Sequence, residues 1–457
     1  MRDLSHEFAA AAAATDVERL SAAAVETAKM SVLDTIAVAL AASGVEPSCR
    51  TVIDLVQHEG GRPEATGWGL QWQGPATNAA FVNGALAHCL DFDDQTRWGQ
   101  HAGSSVVPSS LALAERRGGV RGADLLAGVA VGQDLFARLR RHVGWRKDWN
   151  LSSALGVFAG AAASARTLGL PQAGIHAALG IASQQSSGVM EVVAGTGSDL
   201  RALYAGFSAR GSVTAVLLAE RGLSGVDRLF EGPFGVFQTY FDGVYDRDAM
   251  LADLGRHHAG VDTLYKVWPS VGTSHSHIHA VVEILTGHHL RLEDIQEIRV
   301  FVGDYHELMC TPLAERREPR TLVDAKFSLP FLVGLAAARG TVSVTDFTDE
   351  GLRDPRVLAA ARKVVPVPDR DLDWTSDLPP GRAEILTTDG RVLGRDGADY
   401  PGGPDRPTTW DQLTQKLRDC ASVAAHPPSD EGLASFVEAA RRLEELPDVR
   451  ELVQCLR

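Results

Sequence analysis

The sequence predicts a mainly α-helical fold, a large all-helical domain made from both ends of the chain with a smaller α+β domain inserted between them. Three observations carry this. From the start to about residue 263, apolar residues recur at spacings of three and four, the helical period. From 264 to 402 the texture becomes mixed, with alternating β-branched runs between helical ones. From 403 to 457 amphipathic helix returns and is expected to pack back on the first body. At 457 residues the chain is too long for one ordinary core.

Taken in order, "DVERLSAAAVETAKMSVLDTIAVALAAS" starts at an Asp16 cap and keeps one apolar stripe. "SSVVPSSLALAERRG", "GADLLAGVAVGQDLFARLRRHV", "SALGVFAGAAASARTLGL", "AGIHAALGIASQQSSGVME" and "ARGSVTAVLLAERGLSG" read as helices of the same kind. Their alanines and glycines, facing inward, let helix axes approach closely. "IQEIRVFVGDY" alternates and reads as a strand, and "GRAEILTTDGRVLGRDG" as a hairpin turning at Asp389-Gly390. "FSLPFLVGLAAARG" and "DPRVLAAARKV" between them are helical, "YPGGPDRP" is a linker, and "TTWDQLTQKLRDCASVA" and "EGLASFVEAARRLEEL" close the chain as helices.

Hydrophobic residues make up 45% and charged residues 22%, the balance of a globular chain. A net charge of −14 argues against nucleic acid as a partner, since phosphate contacts need a basic face. The five cysteines, Cys49, Cys89, Cys310, Cys420 and Cys455, form no CxxC pair, which fits a reducing compartment. The N-terminus carries acids where a signal peptide needs an apolar core. No apolar run reaches the roughly 18 residues that span a bilayer. The expectation is a cytoplasmic protein with no membrane contact.

The chemistry concentrates in "AHCLDFDDQTRWGQHAGSSVVP", where Asp91, Asp93 and Asp94 lie between His88 and His101 in an otherwise apolar segment. If the segment is helical, His88, Asp91 and Asp94 share a face, Asp93 points elsewhere, and His101 sits in the loop beyond Trp98-Gly99. A carboxylate that orients an imidazole makes a general base, although a hydrogen-bonded polar helix end would show the same residues.

The segment "NGALAHCLDFDD…HAGSSVVPSSLALAE" resembles the MmgE/PrpD family, and so do "YKVWPSVGTSHSHIHA" and "PRTLVDAKFSLPFLVGLAAARG" further on. The resemblance spans nearly the whole chain. It implies a cofactor-independent enzyme, usually a homodimer, with a helical domain from both chain ends and an α+β lid. Activities known in the family include 2-methylcitrate dehydratase, cis-aconitate decarboxylase and iminodisuccinate epimerase. The resemblance makes Asp91, His101, Lys266 and His275 the catalytic candidates. Gln95, Thr96, His88, Asn150 and Arg201 are the substrate-binding ones.

The chain departs from the family pattern near the chemistry. Asn150 stands where the family has a histidine, and asparagine cannot shuttle protons. Arg201 replaces a lysine, keeping charge and gaining a bidentate fork for a carboxylate. Gln95 replaces a threonine, with Thr96 beside it. The resulting expectation is a hydro-lyase acting on a small hydroxy-polycarboxylate, 2-methylcitrate dehydratase-like with a variant substrate. An epimerase or isomerase, a decarboxylase, and an inactive binding homologue are the alternatives. No metal is expected. "SHSHIH" places His275 and His279 on one helix face but lacks the HExxH glutamate and a third ligand, so packing or capping is the reading for His277 and His279. No phosphate-loop signature and no Gly-x-Ser-x-Gly elbow is present.

Overall fold

Asp16 caps only a short 3-10 turn, Val17–Arg19, and the 24-residue helix behind it, Ala22–Val45, starts at a cap of its own, Ser21. The run read as one helix is therefore two elements, because two side-chain acceptors compete to start it. The computed structural model describes residues 2–195 and 198–456. Every residue from Ser31 to Ala42 is buried, so Ala22–Val45 crosses the core without the single apolar stripe expected of it. This helix and Leu200–Glu220 are long and apolar enough to cross a membrane by length and composition, which corrects the expectation that no such stretch exists. Isolated polar residues interrupt their apolar runs without lowering the average much. Most of each helix is buried against other helices, as in the core of a helical domain.

Ala76–His88, Gly103–Arg117 and Gly122–His142 pack on Ala22–Val45, and Leu151–Thr167 and Leu200–Glu220 pack on those helices in turn. Small residues set their spacing. A Cβ on Gly206 would stand 2.5 Å from the Phe81 carbonyl oxygen, and one on Gly84 would stand 3.0 Å from Gly206 Cα. The helices Ala76–His88 and Leu200–Glu220 can meet this closely only because both positions lack side chains. The run through "SQQSSGVME" stops being helical early. Gln172–Ala182 gives way to a 3-10 turn at Ser183–Gln185 and then to extended chain. There the Gly188 carbonyl accepts from Asn150 N–H at 2.8 Å, and consecutive serines and glycine offer little helix propensity against that pairing.

In the mixed stretch, Ile295–Val302 is the expected strand, with Ile298, Val300 and Val302 buried in alternation. The hairpin is Arg382–Thr387 and Val392–Asp396, with Gly390 at φ +88° in its turn. One strand was not read from the sequence. Val364–Pro368 pairs in parallel with Ile295–Val302 at the edge of a four-stranded sheet, where its two prolines cost no ladder donors that matter. His275–Gly287 packs on the sheet, and Leu329–Arg339 packs on that helix. Trp410–Ser422 and Asp430–Arg441 return to lie against Ala22–Val45, as their amphipathic pattern implies.

Candidate active site

Helix Ala76–His88 ends at His88, six residues short of Asp94, so the shared face expected for His88, Asp91 and Asp94 does not exist. Asp91 adopts φ +49°, a left-handed conformation uncommon for a residue with a side chain, and the chain turns out of the helix there. From Leu90 to Ala102 the backbone is a loop. Gln95–Thr96 pairs antiparallel with Thr263–Leu264, which fixes the following Lys266 beside Asp91.

Asp93 was expected to point away from the other acids. Instead it is wholly buried between the two imidazoles, because the loop turns it inward. His88 Nδ1 lies 3.1 Å from Asp93 Oδ2, and His101 Nδ1 lies 3.3 Å from the same oxygen. His101 Nδ1 is also 2.7 Å from the Asp94 carbonyl oxygen, an acceptor only, so Nδ1 carries hydrogen and the neutral ring keeps its lone pair on Nε2. That nitrogen stands 3.7 Å from Asp91 Oδ1. Burial pulls the His101 pKa down, but Asp93 and Asp91 outweigh it and the net direction is up. Burial alone would raise Asp93; the two imidazoles hold it well below the usual carboxylate range. Asp94 is pushed up to about 7 by burial, then by Asp93 and Asp34, and its carboxyl accepts from Gly103 N–H at the start of the next helix.

Lys266, fully buried, donates to the Asp91 carboxylate and to its carbonyl oxygen at 2.9 Å. His275 lies on the far side of this pair, with Nε2 on the Trp268 carbonyl at 3.1 Å, and burial followed by Lys266 lowers its pKa to about 3. A histidine so held stays neutral and does not reach the cavity. Lys416, from the returning C-terminal helix, donates to Asp34 at 2.7 Å and to the Phe92 and Lys266 carbonyls, so it ties both strands of the site together.

A small cavity opens in front of Asp91 and His101, with Gln95, Asn150 and Arg201 also in its wall. Thr96 and His88 are behind that wall. The Thr96 hydroxyl donates to the Gly99 carbonyl and closes the turn, while His88 supports His101 through Asp93. Asn150 caps helix Leu151–Thr167, its Oδ1 accepting from Ser152 N–H at 3.1 Å, which leaves Nδ2 without a partner at the cavity. Arg201 is buried with Nε and Nη1 unpartnered, its guanidinium 3.2 Å from the Phe327 ring centre, and burial brings its pKa down to about 10. Tyr204 and Tyr305 also line the cavity and were not singled out from the sequence. Tyr204 sits three residues after Arg201 on the same helix, a legible spacing. Tyr305 and Trp374 arrive from the mixed stretch and leave no local signal.

His88, Asp93 and His101 offer atoms close enough together for a metal ion, as do His6, His176 and Asp227 elsewhere. The hydrogen bonds already described account for the first grouping. In "SHSHIH" the rings diverge: His277 meets the Phe301 carbonyl at 2.8 Å and His279 lies 3.4 Å from Asp399, so these histidines do not converge on one point.

The chain is 25% identical over 456 residues to a cis-aconitate decarboxylase of Aspergillus terreus, covering 94% of this chain and 91% of that one. It is 24% identical over 480 residues to the cis-aconitate decarboxylase of Mus musculus, covering 100% and 94%. The Homo sapiens cis-aconitate decarboxylase is 26% identical over 405 residues, covering 84% and 80%. The MmgE/PrpD N-terminal domain pattern matches residues 6–247 and the C-terminal domain pattern residues 268–440. With both halves matched in order and a buried Asp-His cluster facing the cavity between their residues, the chain belongs to the MmgE/PrpD family.

Proposed function

We propose that the chain is a lyase that removes a proton beside the carboxylate of a small hydroxy acid and expels water from the neighbouring carbon. The observation that carries this is the orientation of His101, with Nδ1 tied to the Asp94 carbonyl and Nε2 left as a base at a cavity that holds the unpaired Arg201. Arg201 holds the substrate carboxylate and the enolate-like charge that builds on it as the proton leaves. The imidazolium formed at His101, balanced by Asp93, passes that proton to the departing hydroxide. The products are an unsaturated acid and water, and the chain supplies base and cation itself.

The curated relatives favour a second reading, decarboxylation. The same groups serve it: carbon dioxide leaves and His101 imidazolium protonates the resulting carbanion. Epimerisation would need only the proton transfer, and an inactive homologue would bind acids without exchange. Proton NMR in D2O with a panel of carboxylic acids separates these readings. Enzyme-dependent deuterium uptake beside a carboxylate is expected, with loss of water or carbon dioxide naming the reaction. Exchange that survives His101→Ala would refute the assignment of the base.

A further inference from the structure

The charges at the cavity nearly cancel. Asp91 is paired with Lys266, and Asp93 lies between the imidazoles of His88 and His101. Among the described residues that line the cavity, Arg201 is the one formal charge with no opposite partner. The next guanidinium, Arg140, sits behind Gln100 and Trp145. Its Nη2 donates to the Trp98 carbonyl at 2.8 Å, its Nε donates to Gln100, and its carbon is 4.8 Å from the Trp145 ring. Lys147, nearby in sequence, is paired with Asp304. One free cation matches one carboxylate, and a further carboxylate would be desolvated against neutral groups only, such as Asn150 Nδ2, with no cation to balance it.

Beside neutral polar groups such as Gln95, Asn150, Tyr204 and Tyr305, one part of the wall is apolar. Trp145 and Trp374 meet edge to face at 5.4 Å, and Leu378, Met190 and Val193 continue the surface. This wall is fastened. Leu378 N–H donates to the Arg97 carbonyl at 3.0 Å, Arg97 pairs with Asp377 at 2.8 Å, and the chain at Gly99 lies so close that a Cβ there would be 2.5 Å from Trp374.

We infer that the acid bound at this site carries one carboxylate, held by Arg201, and an apolar alkyl or aryl arm against Trp145, Trp374 and Leu378, rather than two or three carboxylates. This rests on the reading above of Arg201 as the carboxylate clamp.

Calorimetric titration of the full chain with 3-phenylpropanoate, propanoate and propane-1,2,3-tricarboxylate tests it. 3-Phenylpropanoate is expected to bind about tenfold or more tighter than either of the others, since it matches the charge and buries a ring. Trp374→Ala should remove that advantage over propanoate, Trp374→Phe should keep most of it, and Arg201→Ala should weaken both monocarboxylates. Tricarboxylate binding as tight as 3-phenylpropanoate, or no binding by any of the three, overturns the inference. Turnover is followed separately with 3-hydroxy-3-phenylpropanoate in D2O. Arm-dependent binding without exchange leaves the ligand class standing and defeats the proposed lyase. Preferential exchange of polycarboxylates does the reverse.

Discussion

Replacing Lys326 by methionine should loosen the join between the mixed stretch and the helical body right beside the site. Lys326 ends a short helix, Leu322–Lys326, and donates to the Glu46 carboxylate and to the Cys89 carbonyl at 3.0 Å, two residues before Asp91. Both side chains of the ion pair are 1% exposed. Removing one member of such a pair leaves the other charge buried and uncompensated, which costs about 3–5 kcal/mol. With an unfolding entropy of about 2.1 cal/mol/K per residue, a chain of this size loses about 3–5 °C of Tm for that change. Glu46→Gln should cost a similar amount, since its other oxygen's cap on Ser48 N–H survives in the amide. The double variant should fall short of the sum of the singles by at least about 1 kcal/mol, because neither charge is then stranded. Scanning calorimetry and chemical denaturation measure all three. If Lys326→Met lies within about 0.5 kcal/mol of the parent, or the singles simply add, the pair is not the buried joint described.

The pH dependence follows from the same geometry. His101 accepts a proton only when neutral, and Asp93 raises its pKa against the lowering effect of burial, so the rate should rise with pH through a limb above the ordinary imidazole range. Asp93→Asn should move that limb to lower pH, and a limb that stays put would mean that another group is the base. Asp94 supplies a stability test. Its folded pKa of about 7 lies above the ordinary 3.8, so its contribution is complete below the lower value and is lost as pH rises through the higher one. Asp94→Asn keeps an acceptor for Gly103 N–H, so denaturation midpoints should depend less on pH between about 5 and 8 and be higher at the alkaline end. An unchanged difference between the two pH values would show that Asp94 is not the group under strain.

Much of the site was legible because its residues are unusual for their surroundings. Acids and imidazoles in an alanine-rich segment, and a single arginine in "DLRALYAGF", are costly to bury unless they are used, so they drew attention without any structure. Asp91, His101 and Arg201 do share one cavity. His275 is the instructive contrast. It carries the same side chain as His101, yet it lies behind Lys266 with its ring on a backbone carbonyl, and only packing distinguishes the two.

The sequence by itself determined the mainly helical class, the strand at Ile295–Val302, the hairpin at Asp389-Gly390 and the return of the C-terminal helices. Each of these rests on periodicity or on turn chemistry, which act between residues a few positions apart. Tertiary structure alone decided that the helix stops at His88, that Asp93 turns inward, and that Lys416 and Lys326 brace the loop from 324 and 237 residues away. It also brought Tyr305 and Trp374 to the cavity. Those outcomes depend on which buried charges find partners across the chain, and no local pattern encodes a partner hundreds of residues distant.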